Sequence, residues 1–141
     1  MYLLDTNVIS ELRKHSKGTA DTQVSQWFSA AASHTLYTSV ICLLELERGA
    51  LSVARRDARQ GQVLLDWINN QVRPSFAGRV LPIDEKVASL CAALHVPNPR
   101  SEADALIAAT AMAHGLAVVT RNVKDFAPMG VRTVNPWGDA A

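Results

Sequence analysis

Asp5 stands directly behind the short apolar run Tyr2-Leu3-Leu4, and three further segments deliver oxygen-bearing side chains in the same manner. Glu45 follows Leu36-Tyr37-Thr38-Ser39, Asp104 opens an alanine-rich stretch, and Asn122 with Asp125 follows Ala117-Val118-Val119-Thr120. Segments distant in sequence share one cleft when their strands end on the same edge of an open α/β sheet. A hard cation such as Mg²⁺ needs the cage of oxygens that such a cleft would hold. The pattern points to metal-dependent nuclease chemistry.

Each of these residues also has a purely structural explanation. Asp5 can serve as a helix N-cap, worth about 1 kcal/mol. Ser101-Glu102-Ala103-Asp104 scores as a capping box, which accounts for Asp104 without a metal. Asn122 and Asp125 sit where a turn is expected, and turns favour both residue types. Glu45 is harder to set aside, because Ile41, Leu43, Leu44 and Leu46 around it predict a mostly buried turn, and a buried carboxylate needs a partner. Glu47 competes with it, since two residues at about 100° each face nearly opposite sides of a helix. Spacing does not choose between them. One metal site, by contrast, explains every position together.

The elements that must carry these residues alternate along the chain. A strand over residues 2–4 leads into a helix over 6–14 that Asp5 can cap. A second helix spans 22–32, with Asp21 as N-cap and Val24, Trp27, Phe28 and Ala31 on one face. Residues 35–39 form a strand, and a helix from 40 to about 49, apolar around most of its circumference and therefore buried, continues into a partner ending near 72. After a turn over 73–78, Pro82 assigns the strand 80–83 to a sheet edge. Asp84 caps a helix reaching about residue 94. Pro97 and Pro99 make 95–100 an extended loop, and the next helix runs from about 102 until Gly115 stops it. Residues 117–120 lack polar alternation, as in a central parallel strand lying beside the first. A last edge strand covers 131–134. Alternation with short connections predicts an α/β fold, a three-layer α/β/α sandwich on a mostly parallel sheet.

The length of 141 residues suits a single domain spanning 1–141. With 48% hydrophobic and 19% charged residues the chain is a globular class rather than a disordered one. No apolar run approaches the roughly 18 residues of a membrane span, and without a basic leader or apolar signal core the protein is expected in the cytoplasm. Cys42 and Cys91 are expected to be buried free thiols. His15, His34, His95 and His114 lack ligand spacing and are assigned to surface or cap roles. The net charge of +1 says little by itself. Arg48, Arg55, Arg56 and Arg59 gather on one stretch, either as a solvated helix face or as a track for a phosphate backbone.

Four segments together resemble PIN-domain ribonucleases, in particular the VapC and FitB-like toxins of bacterial type II toxin–antitoxin modules. They are Leu3-Leu4-Asp5-Thr6-Asn7-Val8-Ile9-Ser10-Glu11, Ser39-Val40-Ile41-Cys42-Leu43-Leu44-Glu45-Leu46-Glu47-Arg48-Gly49, Asp104-Ala105-Leu106-Ile107-Ala108-Ala109-Thr110-Ala111 and Val118-Val119-Thr120-Arg121-Asn122-Val123-Lys124-Asp125-Phe126. They occur in the family's order, and the likeness continues to Asn135-Pro136-Trp137.

The resemblance implies an endoribonuclease that hydrolyses RNA phosphodiester bonds with Mg²⁺ or Mn²⁺. It makes Asp5, Glu45 and Asp104 the catalytic acids and metal ligands, and it selects Glu45 over Glu47. Asn122 and Asp125 become weaker ligands, with Thr6, Asn7, Ser39 and Thr120 holding the carboxylates by hydrogen bonds. It further implies a small cognate antitoxin with a DNA-binding domain, bound to a homodimer or in a toxin–antitoxin hetero-oligomer away from membranes. Exposed apolar residues among Val8, Leu12, Trp27 and Phe28 are candidates for the wall of its groove, with core packing the alternative.

Two departures matter, and a third change is small and neutral. Asn122 occupies the position of a fourth acid, residues 94–101 are short for the usual helix hairpin, and Cys42 replaces a common Thr. The alternative is a catalytically silent scaffold that binds a partner. A phosphoacceptor receiver would need an Asp on a central third strand and a late Lys, and a haloacid-dehalogenase-like phosphatase a second acid at Asn7.

Overall fold

β1 (Tyr2–Leu4) and β4 (Ala117–Val119) lie side by side at the centre of a five-stranded sheet, Leu3 opposite Val118 and Leu4 opposite Val119. All four of these residues are fully buried. Neither strand alternates in sequence because both faces of the sheet are covered. The computed structural model describes residues 1–138, so the end of the expected 1–141 domain lies outside the described residues.

β2 (Leu36–Ser39) pairs with the other side of β1, while β3 (Val80–Leu81) and β5 (Thr133–Val134) form the two edges in the order β3-β2-β1-β4-β5. Every pairing is parallel. Pro82 limits β3 to two residues because it has no N–H to donate.

The chain steps outward from β1 to β3 and then returns across the sheet to β4. With the right-handed crossovers usual between parallel strands, α1 (Thr6–Leu12), α2 (Thr22–Ala30), α3 (Val40–Ala54) and α4 (Ala58–Trp67), which contact one another in series, fall on one face. A π turn over Ile68–Val72 and the single-turn α5 (Arg73–Ser75) follow α4. The other face carries α6 (Glu85–Leu94), α7 (Glu102–Ala113) and α8 (Val123–Phe126). This is the expected three-layer α/β/α sandwich. The reversal of strand order falls between β1 and β4, where such sheets open a crevice at their carboxyl ends.

Local signals set the helix starts. Asp5, Asp21, Ser39, Asp57, Asp84 and Ser101 each accept a backbone N–H as the N-cap of the helix that follows.

The long α3 departs from expectation. It runs through Gly49 to Ala54, and it is not buried all round: Val40, Leu44 and Leu51 are 37%, 48% and 56% exposed on its outer side. Only one side of the helix meets the sheet, so its apolar circumference exceeds the surface available to cover it. α4 folds back on α3 with Gly61 against Ala54; a Cβ on Gly61 would lie 2.3 Å from the Ala54 Cβ. Cys42 and Cys91 are free and buried. No helix among the described residues is long and apolar enough to cross a membrane.

Candidate active site

Asp5 ends β1 and begins α1, which holds its carboxylate at the mouth of the crevice while leaving it only 6% exposed. Its own N–H donates to the Val119 carbonyl at 2.9 Å, fixing it beside the end of β4. Oδ1 accepts the Thr6 N–H at 2.8 Å as the helix cap, and Oδ2 accepts the Thr120 hydroxyl at 2.8 Å. Asn7 Nδ2 lies 3.5 Å from the same Oδ2 and 3.3 Å from Thr120 Oγ1, and its Oδ1 accepts the Arg121 N–H at 3.3 Å. Thus one carboxylate is both a cap and the hub of a network spanning β1, α1 and β4.

Glu45 sits on the second turn of α3, which starts immediately after β2 and so points its early side chains towards the same crevice. The Thr6 hydroxyl donates to Glu45 Oε1 at 2.6 Å. Glu47 turns away and pairs with Arg73. Of the two glutamates, only Glu45 meets the Asp5 network. Arg48 lies 4.0 Å from Glu45 Oε2 with a largely solvent-exposed side chain, a geometry in which an ion pair contributes little. Ser39 spends its hydroxyl on α3, accepting the Cys42 N–H at 3.2 Å and facing the Cys42 thiol at 3.3 Å, rather than on a carboxylate. Burial first and the Asp5 charge second push the Cys42 thiol up in pKa, so it stays protonated.

Asp104 enters from the first turn of α7, its N–H 3.5 Å from the Ser101 cap. Partial burial, then the charges of Asp5, Asp125 and Glu45, push its carboxyl up to about 6. Asp5 is raised as well: burial is the main cause, opposed by the bonds from Thr120 and Thr6 and reinforced by Glu45 and Asp125. Asp5 and Asp104 therefore feel the charge of Glu45 and Asp125, although the four come from the end of β1, α3, α7 and α8. Asn122 joins this group through its backbone, donating its N–H to Thr120 Oγ1 at 3.0 Å, while its side chain makes no cap bond to α8.

The donor chemistry fits a hard divalent cation. Asp5, Glu45, Asp104 and Asp125 offer carboxylate oxygens; burial is the main cause that raises Asp5 and Asp104, and the neighbouring acids add a smaller share that a cation would offset. No three of the four bring their oxygens within 4.8 Å of one another. The Arg55, Arg56 and Arg59 group stands apart, exposed at the far end of α3 and the start of α4. By the helical rise this is roughly 15 Å beyond Glu45.

One cluster escaped the sequence reading. Cys91, His95 and Glu102 bring possible ligand atoms within 4.8 Å of one another. Cys91 and His95 are four residues apart at the end of α6, a spacing that could have flagged them. His95 Nδ1, however, accepts the Arg100 N–H at 3.0 Å, which directs the ring proton to Nε2, 3.0 Å from Glu102. That proton occupies the lone pair a metal would need, so the trio is better described as a bracket between α6 and α7.

The chain matches the PIN domain over residues 2–130. It is 38% identical over 145 residues to a VapC ribonuclease of Sinorhizobium fredii, covering 99% of this chain and 100% of that protein. It is 35% identical over 144 residues to toxin FitB of Neisseria gonorrhoeae, again covering 99% and 100%. Among solved structures it is similar to FitAcB of Neisseria gonorrhoeae, with a TM-score of 0.87, 34% identity and coverage of 98% and 99%. A toxin–antitoxin complex from Klebsiella pneumoniae gives a TM-score of 0.67 at 27% identity, covering 96% and 98%.

Proposed function

Because the chain belongs to the PIN-domain family, we propose that it is a divalent-metal-dependent endoribonuclease, the toxin half of a type II toxin–antitoxin pair. The joining of Asp5 and Glu45 through Thr6 at the switch point of the sheet, with Asp104 and Asp125 near enough to add their charge, carries this reading. The names of its relatives, ribonuclease and toxin, support it.

Asp5 and Asp104 are assigned as the principal ligands, with Glu45 beside them and Asp125 and Asn122 as weaker contributors. Mg²⁺ or Mn²⁺ held there would supply Lewis acidity at the scissile phosphate and lower the pKa of the attacking water. Thr120, Thr6 and Asn7 hold Asp5 in a single orientation, so little ordering remains to be done on binding. Thr6 engages only Oε1 of Glu45, so Oε2, with the exposed Arg48 4.0 Å away, is the oxygen to orient water and receive its proton.

A small antitoxin with a DNA-binding domain would inhibit by lying over the crevice and placing a basic side chain among the carboxylates. Of the expected groove residues, Val8 is fully buried and belongs to the core, whereas Leu12 and Phe28 line a cleft of about 470 Å³ with Trp67 and Phe76.

Purified protein should cleave labelled single-stranded RNA with Mn²⁺, and chelator should stop it. Asp104→Asn should reduce cleavage by at least roughly 10³-fold, the scale for losing a principal catalytic group. Expression alone should arrest growth, and a neighbouring small gene should relieve the arrest. Full cleavage by Asp104→Asn would overturn the assignment.

A further inference from the structure

Arg13 follows α1 as its C-cap residue, is half-buried, and has no acid in ion-pairing range among the described residues. Its guanidinium is accessible from the clefts around it and has no counter-charge of its own in range, so this cation is available to an anion from outside. Three clefts meet at it. One, of about 260 Å³, runs from Thr6 and Glu45 between α3 and α4, past Gly49 and Ala50 to Trp67. A second passes Arg13 towards Lys17 and Asn70. The third leads past Asn7 and Lys14 to Arg121, which stacks on Trp137.

The first cleft therefore begins at a candidate catalytic carboxylate and ends at a cation and an indole. Gly49 lies on its wall facing open space, where a Cβ would meet no atom within 4 Å, although glycine weakens a helix interior. Its volume falls below the roughly 300–1,000 Å³ of drug-sized ligand sites, which suits one nucleotide unit. Aromatic faces take any base of a single strand, and guanidinium forks match phosphate oxygens.

Resting on the ribonuclease reading, we propose that this cleft binds one nucleotide flanking the scissile phosphate of single-stranded RNA, its base against Trp67 over Gly49 and its phosphate on Arg13. Lys17 on one side and Arg121 on the other extend the path. The strand then crosses the end of α1 and leaves the distant Arg55, Arg56 and Arg59 unused. A peptide in the same cleft would instead have to bring an acid to Arg13.

The test is binding of a fluorescein-labelled, mixed-sequence single-stranded RNA, followed by anisotropy across a salt series in an Asp104→Asn background that does not cleave. Arg13→Gln should weaken binding roughly 10-fold or more. It should also lower the log–log salt slope by about 0.7, the signature of one lost phosphate contact on a single strand. Arg13→Lys should restore the slope. Gly49→Leu should fill the cleft and weaken binding at an unchanged or higher melting temperature, so a folding defect cannot mimic the result. Trp67→Ala should weaken binding and Trp67→Phe should recover it. In the cleaving protein these changes should raise KM and leave kcat nearly unaltered.

Unchanged affinity and salt slope in Arg13→Gln and Gly49→Leu would overturn the subsite and leave the nuclease reading intact. Arg13-dependent RNA binding in a wild-type protein that never cleaves RNA would support a single-strand binding cleft at Arg13 but overturn both the nuclease reading and its place beside a scissile phosphate. If Arg13→Gln abolished binding of the small neighbouring protein and left RNA binding unchanged, the cleft would belong to a peptide and the proposal would fall.

Discussion

Thr120 Oγ1 donates to Asp5 Oδ2 at 2.8 Å, so a hydroxyl at the end of β4 orients the carboxylate at the end of β1. The same hydroxyl oxygen accepts the Asn122 N–H at 3.0 Å and lies 3.3 Å from Asn7 Nδ2. Thr120→Val keeps the shape and removes every one of these bonds. It should destabilise the protein by about 1–3 kcal/mol, the range for leaving buried polar groups unsatisfied. Mn²⁺ affinity and RNA cleavage should fall by roughly 10–100-fold, as for other groups that orient ligands. Thr120→Ser should recover most of both. Denaturant unfolding and calorimetry with Mn²⁺ check this, and wild-type Mn²⁺ affinity in Thr120→Val would remove the hydroxyl from that role.

Acid should stabilise the metal-free protein through Asp104. Its carboxyl titrates at about 6 when folded and near 4 when unfolded. The folded state thus holds this proton more tightly. The stabilisation it confers is complete below about pH 4 and is lost as pH rises through about 6. Relative to Asp104→Asn, chelated wild type should lose on the order of 1 kcal/mol across that window, after allowing for solvent screening. Thermal unfolding at a series of pH values measures the difference. Saturating Mn²⁺ should remove it, and a pH-independent gap between the two proteins would refute the coupling.

Asn122 stands exposed at the N-cap position of α8 without a side-chain cap bond, its N–H on the Thr120 hydroxyl that holds Asp5. Asn122→Asp should tighten Mn²⁺ binding several-fold, because an added carboxylate strengthens attraction to a hard cation. Titration calorimetry decides: an unchanged affinity places this side chain outside the coordination sphere.

Gly61→Ala should destabilise the α3–α4 hairpin. An added Cβ would meet the Ala54 Cβ at 2.3 Å and its Cα at 2.5 Å. The expected loss is about 1–3 kcal/mol from overpacking, against a gain of roughly 1 kcal/mol for alanine in an open helix. The double variant Ala54→Gly with Gly61→Ala should recover part of it. A raised melting temperature in the single variant would show that the two helices separate freely.

Local chemistry made much of this protein legible in the sequence. An N-cap is a bond between neighbours, so Asp5, Asp21 and Asp84 announced their helices. The absence of alternation in Ala117-Val118-Val119 announced a strand buried on both faces, and Pro82 announced an edge. The acids that end these elements were visible for the same reason.

What remained for tertiary structure were choices among partners that no spacing ranks. Glu45 and Glu47 are both helical glutamates; the packing of α1 against α3 gives Thr6 to one, and Arg73 takes the other. Ser39 and Thr120 both offer hydroxyls where a strand ends, yet Ser39 caps the helix that follows it while Thr120 reaches across the sheet to Asp5. The exposed stripe Val40, Leu44 and Leu51 contradicted a fully buried helix, because an apolar circumference does not say how much of it a sheet can cover. The clefts that meet at Arg13 join α1, α3 and α4. Side-chain periodicity records which way a residue points along its own element. Which residue it meets there depends on strand order and on crossovers spanning many residues of chain.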